Sequence, residues 1–600
     1  MPVRTISGIT ALVVTLLTAC LAAPAVAAPA SGASAGYTTE LLHFSVHTGP
    51  GRATPCTIVG QLYRPDGLSG SRRAPAILTT NGFGGSYKTQ APIAAYLATQ
   101  GYVVLAYSGL GFGGSTCPIT LDDPDVDGVA ASQLVDYLGG RAGVAFTDAA
   151  LRRPAPRLDI VTHDATDHTG RRRADDPRIG MIGGSYGGGI QFATAAVDPR
   201  IDTIVPQITW NDLSYSLAPN ATSTSTGVSS RVSGSAKTIY AAGLFLDGVT
   251  DPGRAGYLAD PARIGPCPNF TASQCATFAE GATTGEFGPA SVAHLRHASV
   301  ASYLGRIRIP VLLEQGQRDT LFDLNEATAT YQALRARGVE TKMIWHQWGH
   351  SGAPAPGEYD KAYPDRTTQY EVARSLDWFD HHLRGADVST GPDFAYFRDW
   401  VPYSGIATPA YASGSYPVGA PTTFRMSAGR GLLDNALVPT GQSARPGSAT
   451  IRTPPLGAPT QTGPFNDKPD AAKPVRQDPG TYARWDTAPR ATPLDVVGIG
   501  SMRLRVRAVG QPLVFAKVYD VAPDGTADLI NGLVSPVRIT DPSTPVTVTL
   551  SGLVHRFAVG HRLRVEIAGG DQSFRNGLQG QPVTILSGGD ATLTLPVTSD

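Results

Sequence analysis

The pentapeptide Gly183-Gly184-Ser185-Tyr186-Gly187 has the residue types and spacing of a nucleophilic serine site, G-x-S-x-G. An apolar run, Ile179 to Ile182, precedes it, and a small-residue stretch with helical character follows it. A sharp turn from a strand into a helix holds such a serine in a strained, exposed conformation. The N-terminus of the following helix stabilises negative charge that develops nearby. We therefore predict that Ser185 is a nucleophile; the alternative is an ordinary glycine-rich turn.

The same pattern occurs once more, around Ser34 in Gly32-Ala33-Ser34-Ala35-Gly36. No strand-like run precedes this second match, and it lies in a segment of small residues. The pattern acquires meaning only in the strand-turn-helix context. We therefore assign no chemistry to Ser34.

A serine hydroxyl is a poor nucleophile at neutral pH and needs a base that is oriented by a third group. In hydrolases with this turn, the chain order is serine, acid, histidine. Asp319 follows the strand-like run Ile309 to Glu314, and His350 follows the run Thr341 to His346. Both would therefore lie at the same carboxyl edge of a parallel sheet as Ser185, where ligands bind in such folds. We predict Asp319 as the acid and His350 as the base.

Other residues could in principle take these two roles. Asp323 could replace Asp319, but it stands at a predicted helix start and suits a helix cap. His346 lies within a strand-like run and is expected to be packed. His381 and His382 lie on a helix with one apolar face, Val372 to Leu383, where a structural or solvated role is expected.

The negative charge of an acyl-transfer intermediate needs donors that are already in place. The backbone N–H of Tyr186, directly after the nucleophile, is the first predicted donor. The second is expected from the glycine-rich loop Asn81-Gly82-Phe83-Gly84-Gly85, at the N–H of Phe83. The alternative for this loop is a plain glycine turn.

Strand-like and helix-like runs alternate before and after Ser185, which predicts an α/β fold with a parallel sheet covered on both faces. The segment from about residue 210 to 306 interrupts this rhythm, and we interpret it as an inserted cap. After about residue 391 helical periodicity nearly vanishes, and β-rich runs such as Met502 to Ala508 and Leu563 to Ile567 alternate with turns. This pattern is typical of an antiparallel β-sandwich. We predict a catalytic domain at 37–390 and an all-β domain at 391–600.

The chain begins with the features of an export signal. Arg4 supplies the positive start, Ile9 to Leu21 is largely apolar, and Ala25-Val26-Ala27 is a cleavage site of small residues. We predict a signal peptide at 1–27 and a linker at 28–36, and hence a secreted or extracytoplasmic protein. Leu17-Thr18-Ala19-Cys20 resembles a bacterial lipobox, so lipidation of Cys20 is an alternative.

Without the leader, four cysteines remain: Cys56, Cys117, Cys267 and Cys275. An even number in an oxidising compartment favours disulfides. Cys267 and Cys275 enclose a short loop and are expected to pair, which leaves Cys56 with Cys117. The alternative is that some are free and buried.

Composition and motifs argue against other classes of function. The 49 basic and 49 acidic side chains balance, which excludes binding to nucleic acid through overall charge. Beyond the leader, no apolar run is long enough to span a bilayer. Asp123-Pro124-Asp125-Val126-Asp127-Gly128 begins like a calcium loop, but position twelve is Leu134 instead of the bidentate Glu. We therefore predict neither a metal nor an organic cofactor, and interpret Asp123 to Gly128 as an acidic helix start.

Ser185, Asp319 and His350 in this order resemble the α/β-hydrolases of the X-prolyl dipeptidyl-peptidase and cocaine-esterase group, peptidase family S15. Trp378 to Gly385 resembles the helix that closes their catalytic domain. Val518 to Gly525 and His561 to Ile567 resemble their C-terminal jelly-roll, or galactose-binding-like, domain. The resemblance covers nearly all of the mature chain. It implies an α/β-hydrolase fold with an inserted cap, followed by an all-β jelly-roll domain.

The chain also departs from this group. Several members have a tyrosine after the third strand whose hydroxyl stabilises the oxyanion, whereas Asn81-Gly82-Phe83 stands here. An aminopeptidase member needs acidic groups for the substrate's free amine, and the sequence identifies none. The expectation is a serine hydrolase that cleaves an ester or an X-Pro peptide bond in a small acyl or peptide substrate. The alternatives are an esterase or acyltransferase without peptidase activity, and an inactive cell-envelope protein that binds glycan.

Overall fold

The computed structural model describes residues 36–222, 224–454, 478–577 and 580–598. The predicted leader, its cleavage site and Cys20 lie outside these residues. The strands of the first part of the chain are β1 (Tyr37–Thr48), β2 (Thr54–Pro65), β3 (Ala76–Thr80), β4 (Val103–Tyr107), β5 (Ala145–Phe146), β6 (Ile179–Gly184), β7 (Thr203–Gln207), β8 (Thr224–Thr226), β9 (Ser229–Ser230), β10 (Val311–Gly316), β11 (Thr341–His346), β12 (Phe394–Phe397) and β13 (Tyr411–Gly414). The helices are α1 (Ala91–Thr99), α2 (Val129–Leu138), α3 (Tyr186–Val197), α4 (Leu213–Leu217), α5 (Thr238–Thr250), α6 (Gly253–Ala259), α7 (Ala272–Thr284), α8 (Pro289–His297), α9 (Val300–Tyr303), α10 (Leu324–Arg335) and α11 (Tyr370–Arg384).

One large sheet organises this part of the chain. Its strand order is β13-β12-β11-β10-β7-β6-β3-β4-β2-β1-β5. The central strands of this order run parallel to one another, namely β12, β11, β10, β7, β6, β3 and β4. Antiparallel strands flank them at both ends, β13 beside β12 and β2 beside β4. Every residue of β3, β4, β7 and β10 is buried. The sheet is therefore covered on both faces, as a parallel sheet requires.

One observation bears on the predicted domain boundary. We predicted that the catalytic domain ends at residue 390, but β12 and β13 join the large sheet after that residue, because β12 pairs in parallel with β11. The helical stretch expected after Ser185 begins directly at Tyr186, as α3. Because glycine has a low helix propensity, the glycines at 187 to 189 give no sequence signal for its first turn. Where the catalytic domain ends and the all-β domain begins stays a prediction, because the described residues from Tyr37 onward form one compact unit.

The cap segment, residues 210–306, lies between β7 and β10 and contains α4 to α9 and the short β8–β9 hairpin. Two disulfides are present, Cys56–Cys117 and Cys267–Cys275. The second lies within the cap segment. Both pairs match the pairing expected from the sequence.

The C-terminal part is an all-β domain, as predicted. Its strands are β14 (Ala420–Ser427), β15 (Asn435–Pro439), β16 (Gly447–Arg452), β17 (Tyr482–Asp486), β18 (Leu494–Gly498), β19 (Ser501–Leu504), β20 (Val506–Arg507), β21 (Leu513–Val521), β22 (Ala527–Arg538), β23 (Val546–Thr549), β24 (Leu553–Phe557), β25 (Arg562–Ala568), β26 (Pro582–Ser587) and β27 (Thr592–Thr598). They form a large, mostly antiparallel sheet and a smaller sheet, β16-β26-β20. Their apolar side chains form a core of their own around Trp485 and Phe557.

The all-β domain is hydrogen-bonded to the base of the cap segment. Ala221 in the cap donates its N–H to the Pro536 carbonyl at 2.8 Å and accepts from the Thr549 N–H at 2.7 Å. The Arg538 guanidinium donates to the Gly234 carbonyl at 2.8 Å. On the catalytic side, the Asn325 amide donates to the Leu550 carbonyl at 3.0 Å. The all-β domain is thus hydrogen-bonded both to the cap segment and to the catalytic part.

Candidate active site

Ser185 stands at a strained turn between β6 and α3. Its backbone has φ 58° and ψ −119°, outside the regions that L-residues usually occupy. Such strain persists only where the surrounding structure enforces it, and it is concentrated at functional sites. The turn sets Ser185 at the carboxyl edge of the sheet.

The glycines of this turn are required by close backbone contacts. A Cβ atom on Gly187 would lie 2.5 Å from the Thr80 carbonyl oxygen, and one on Gly183 would lie 2.8 Å from the Gly187 carbonyl oxygen. No larger residue fits at either position without moving the backbone. This explains in physical terms why the pentapeptide has glycine there.

The structure brings Ser185, His350 and Asp319 together in one hydrogen-bonded chain. Ser185 Oγ lies 2.9 Å from His350 Nε2. His350 Nδ1 lies 3.0 Å from Asp319 Oδ2. The carboxylate accepts the proton on Nδ1, so Nε2 is free to accept the serine hydroxyl proton. The three residues follow β6, β11 and β10, which lie in one sheet with β7 between β6 and β10.

Asp319 is held rigidly in place. Its side chain is fully buried, and Oδ1 accepts the backbone N–H groups of Leu321 at 2.9 Å and Phe322 at 2.8 Å. Gln315 Nε2 donates to Oδ2 at 3.1 Å. A carboxylate with this many donors keeps a fixed orientation toward the imidazole.

Lys237 from the cap segment supports the same loop. Its Nζ donates to the carbonyls of Thr320 at 2.9 Å and Leu321 at 2.8 Å. Burial lowers the pKa of this ammonium, and the neighbouring carboxylates Asp323 and Asp319 act in the opposite direction. The cap segment therefore anchors the loop that carries Asp319.

The alternative residues lie elsewhere. Asp323 caps α10 through the Asn325 N–H and accepts the Ser551 hydroxyl at 2.7 Å. His346 is fully buried and stacks on Trp348 with ring centroids 4.0 Å apart, and burial holds its pKa well below the ordinary value. His381 and His382 lie on α11, where burial and the neighbouring His381 lower the pKa of His382 to about 4.

The two predicted oxyanion donors border Ser185. Tyr186 is the first residue of α3, so its N–H has no acceptor in a preceding helical turn. Phe83 lies in the loop after β3, and its ring contacts the Tyr186 ring at a centroid distance of 5.8 Å. Asn81, fully buried, fixes this loop by accepting the Gly109 N–H at 3.0 Å. A Cβ on Gly82 would lie 3.8 Å from Ser185 Cβ, so the loop passes close to the serine.

The acidic segment Asp123 to Gly128 forms a π-helical turn that leads into α2. Asp123 caps it by accepting the Asp125 N–H at 2.8 Å. His297 of the cap segment places Nε2 3.2 Å from Asp123 Oδ1 and 3.3 Å from Asp125 Oδ2. This is a surface contact between the cap segment and the catalytic part. That the segment binds no metal stays a prediction.

Three buried glutamates, Glu314, Glu358 and Glu371, lie near one another, and two of them bond the segment that leads to His350. Glu358 accepts the N–H groups of Gln347 and Ala355, both at 2.9 Å. Glu371 accepts the Trp348 indole N–H at 2.9 Å. Burial raises the pKa of Glu314 and of Glu358 to about 7, and it raises that of Glu371 well above its ordinary value, with the charges of Glu358 and Glu314 adding to the effect.

These shifts predict a loss of stability with rising pH. A carboxyl whose pKa is higher in the folded than in the unfolded protein stabilises the fold fully below the unfolded value. That contribution is lost as the pH rises through the folded pKa. For Glu314 and Glu358 the window runs from about pH 4.5 to about pH 7. The loss of stability is therefore expected between mildly acidic and neutral pH.

Glu371→Gln tests this prediction. The amide keeps an oxygen for the Trp348 indole, and Glu371 Oε2 has no hydrogen-bond partner among the described residues, so an NH₂ group there loses no bond. We expect the Tm of the variant to fall less than that of the wild type between pH 5 and pH 8, measured by thermal unfolding. Glu340→Gln, at a half-exposed side chain, is the control and should keep the wild-type slope. An unchanged slope in Glu371→Gln would refute this origin of the pH dependence.

Sequence reasoning missed the contributions of the cap segment. A cavity opens at Ser185, Tyr186 and Phe83, and α5 and α7 form much of its wall. Lys237 was also missed, since a lysine in a polar stretch gives no local signal. The signal that could have revealed the cavity is the sequence of α5, Thr238–Thr250, which is apolar nearly all round although it belongs to a surface insertion.

Two protein-family models match this chain. Residues 56–352 match the family model described as X-Pro dipeptidyl-peptidase (S15 family). Residues 433–581 match the X-Pro dipeptidyl-peptidase C-terminal non-catalytic domain. Together the two models cover almost three quarters of the chain. No curated protein matches the chain in sequence.

Solved structures share the fold over nearly the full length. An aminopeptidase from the marine sediment archaeon Thaumarchaeota archaeon has a TM-score of 0.64 at 13% identity, covering 96% of this chain and 99% of its own. A CocE/NonD family hydrolase from Staphylococcus aureus has a TM-score of 0.58 at 12% identity, covering 93% and 97%. An alpha-amino acid ester hydrolase has a TM-score of 0.57 at 14% identity, covering 97% and 100%. The resemblance drawn from the sequence motifs is confirmed: the chain belongs to the X-Pro dipeptidyl-peptidase (S15) family and is a serine hydrolase with an α/β-hydrolase fold and an all-β C-terminal domain.

Proposed function

We propose that this enzyme cleaves an ester or amide bond through an acyl-enzyme on Ser185, with His350 as general base and acid and Asp319 as the group that orients it. The observation that carries the proposal is the hydrogen-bonded chain from Ser185 Oγ through His350 to Asp319, with distances of 2.9 and 3.0 Å. Its geometry is that of a nucleophile, a base and an orienting acid. The strained backbone at Ser185 adds independent support.

The reaction proceeds in two halves. Ser185 Oγ attacks the carbonyl carbon while His350 Nε2 takes the hydroxyl proton, and the N–H groups of Tyr186 and Phe83 hold the resulting oxyanion. When the intermediate collapses, the bond to the leaving group breaks and His350 gives the proton to the departing alcohol or amine. A water molecule then attacks the acyl-enzyme, gives its proton to His350, and releases the acid as Ser185 recovers its proton.

Two substrate types fit this chemistry. The family match favours an X-Pro peptide bond, since the matching family is described as X-Pro dipeptidyl-peptidase. The apolar cavity beside Ser185 favours an ester of an uncharged acid. Export to an extracytoplasmic compartment is part of the proposal, and the two disulfides support it. Separately, none of the described helices is long and apolar enough to cross a membrane.

Covalent labelling with a fluorophosphonate tests the shared chemistry directly. The wild type should be labelled at Ser185, as identified by mass spectrometry of the modified peptide, because an activated serine attacks phosphorus irreversibly. Prior denaturation should abolish the labelling, which distinguishes an assembled site from a reactive side chain. Folded protein that stays unlabelled, and that binds glycan instead, would support the alternative of an inactive binding protein.

A further inference from the structure

The cavity beside Ser185 is large and bounded mainly by the cap segment. It encloses roughly 1000 Å³ when its open mouth is included, within the size range of sites for small organic ligands. Leu244 and Phe245 of α5 and Phe278 of α7 form part of one wall. Ser185 and Phe83 line the same cavity. A group attached to Ser185 would therefore extend toward the cap segment.

Among the residues that the structure describes, none of those that line the cavity has a charged side chain. Its few polar groups are mostly paired: the Tyr186 hydroxyl accepts the Asp122 N–H at 3.2 Å, and the Trp210 indole donates to the Ala298 carbonyl at 3.3 Å. Gln274 Oε1 accepts the Thr271 N–H at 2.8 Å, while its Nε2 has no acceptor among the described residues and offers one neutral donor. A charged amine or carboxylate in this space would lose its hydration without gaining a counter-charge, which is strongly unfavourable.

A row of aromatic rings runs along the cavity. Phe278 stacks on Phe245 with centroids 4.4 Å apart and planes at 1°. Phe245 stacks on Phe270 at 5.0 Å, and Phe270 faces Phe83 at 6.4 Å and 16°. The row thus leads from α7 to the loop that holds the proposed oxyanion donor. Such a surface favours an extended alkyl chain or an aromatic ring.

The position of His350 decides which part of the substrate, the acyl part or the leaving group, lies in this cavity. Ser185, Tyr186 and Phe83 border the cavity, whereas His350 does not. The leaving group must lie against His350, because that imidazole gives it a proton. The cavity therefore receives the acyl part, which stays on Ser185 after the first half-reaction.

We propose that the acyl group transferred to Ser185 is an uncharged, medium-length alkyl chain or aromatic ring that lies in this cavity. The enzyme is then an esterase for apolar acids, and substrates with a free α-amine are disfavoured. This inference rests on the proposed function, since it presupposes an acyl-enzyme on Ser185.

One carboxylate near the site would favour the opposite preference, a substrate with a free amine. Asp247 of α5 packs over Gly84 of the oxyanion loop, where a Cβ would lie 1.8 Å from its Oδ2. Asp247 is not part of the cavity wall. If the substrate carried a free amine, Asp247, which contacts the oxyanion loop, would be the carboxylate to hold it, and the test therefore includes Asp247→Asn.

The first measurement is a chain-length series with the wild-type enzyme: 4-nitrophenyl acetate, butanoate and octanoate, beside Gly-Pro-4-nitroanilide with and without an N-acetyl group. Burial of each methylene favours binding about threefold or more. We expect kcat/KM to rise at least about 100-fold from acetate to octanoate. An octanoate preference supports the inference. A flat or falling series overturns it, and so does preferred cleavage of the free dipeptide that Asp247→Asn abolishes.

A pair of adjacent substitutions on α5 tests the location. Ala241 lines the cavity, and Ala242 beside it is exposed. Ala241→Trp should lower kcat/KM for octanoate at least about tenfold more than for acetate, because the indole fills the space of the chain. Ala242→Trp, which adds the same ring outside, should keep the wild-type ratio. Equal ratios in the two variants would overturn the assignment of the acyl group to this cavity.

Failure of this inference is distinguishable from failure of the proposed function. Fluorophosphonate labelling of Ser185 together with a flat chain-length series would remove the acyl assignment and leave the serine chemistry intact. Absence of labelling in folded wild-type protein would remove both. The wild-type series decides the question even if Ala241→Trp does not fold.

Discussion

Replacing Ser185 by alanine is expected to lower kcat by roughly 10⁵- to 10⁶-fold, to the rate that binding and oxyanion stabilisation alone sustain. The substitution removes the Oγ that lies 2.9 Å from His350 Nε2 and therefore the atom that forms the acyl-enzyme. Alanine keeps the Cβ that the turn already accommodates at φ 58°, so the fold should persist. The measurement is ester hydrolysis under saturating substrate, with thermal unfolding as the check on folding.

Ser34→Ala is the matched control, because Ser34 stands in the same G-x-S-x-G pattern. It should leave kcat and KM unchanged. Retention of more than about one hundredth of wild-type kcat in Ser185→Ala would rule out the nucleophile assigned here, since a loss that small is within the range of a positioning effect.

Asp319→Asn should lower kcat by about 10⁴-fold, because an asparagine NH₂ would face His350 Nδ1 and stabilise the wrong imidazole tautomer. The change is nearly isosteric, and an amide oxygen at the Oδ1 position still accepts the N–H groups of Leu321 and Phe322. Stability should therefore fall far less than activity. Steady-state kinetics and thermal unfolding of the same preparation separate the two effects.

Asp323→Asn is the control for this second experiment. Asp323 stands only four residues later, but its carboxylate caps α10 and accepts hydroxyl groups of Tyr215 and Ser551. The asparagine variant should keep kcat within about threefold. It should lose some thermal stability, because it removes the negative charge at the N-terminus of α10 and the charged acceptor for the Tyr215 and Ser551 hydroxyls. The opposite ranking of the two variants would assign the acid to Asp323.

The sequence predicted much of the catalytic geometry because local patterns encode it. The run Ile179 to Ile182 specifies the strand, and the glycines around Ser185 specify the sharp turn. Glycine stands in the sequence where the turn has no room for a side chain. Asp319 and His350 were predicted from chain order and from the ends of apolar runs. The carboxyl ends of parallel strands lie at one edge of the sheet, whatever the length and sequence of the segments that connect the strands.

The parts that escaped prediction depend on contacts between distant segments. Lys237 supports the Asp319 loop across more than eighty residues, and Glu358 and Glu371 hold the His350 loop through bonds that no local pattern records. Strands β12 and β13 were missed because β-rich sequence after 390 looks alike in an edge of the large sheet and in the all-β domain. The cavity depends on which faces of α5 and α7 turn inward, and periodicity is uninformative for a helix that is apolar nearly all round.

The bonds between Ala221 and the Pro536 and Thr549 backbones have an evolutionary consequence. Because they join main-chain atoms, they do not depend on which side chains stand at these positions, and the two segments can diverge in sequence while their docking persists. Insertions or deletions are another matter, since a shift of one residue would break the register. We therefore expect relatives to tolerate frequent substitutions at these positions but few changes in length. The cap segment and the all-β domain should accordingly be inherited together.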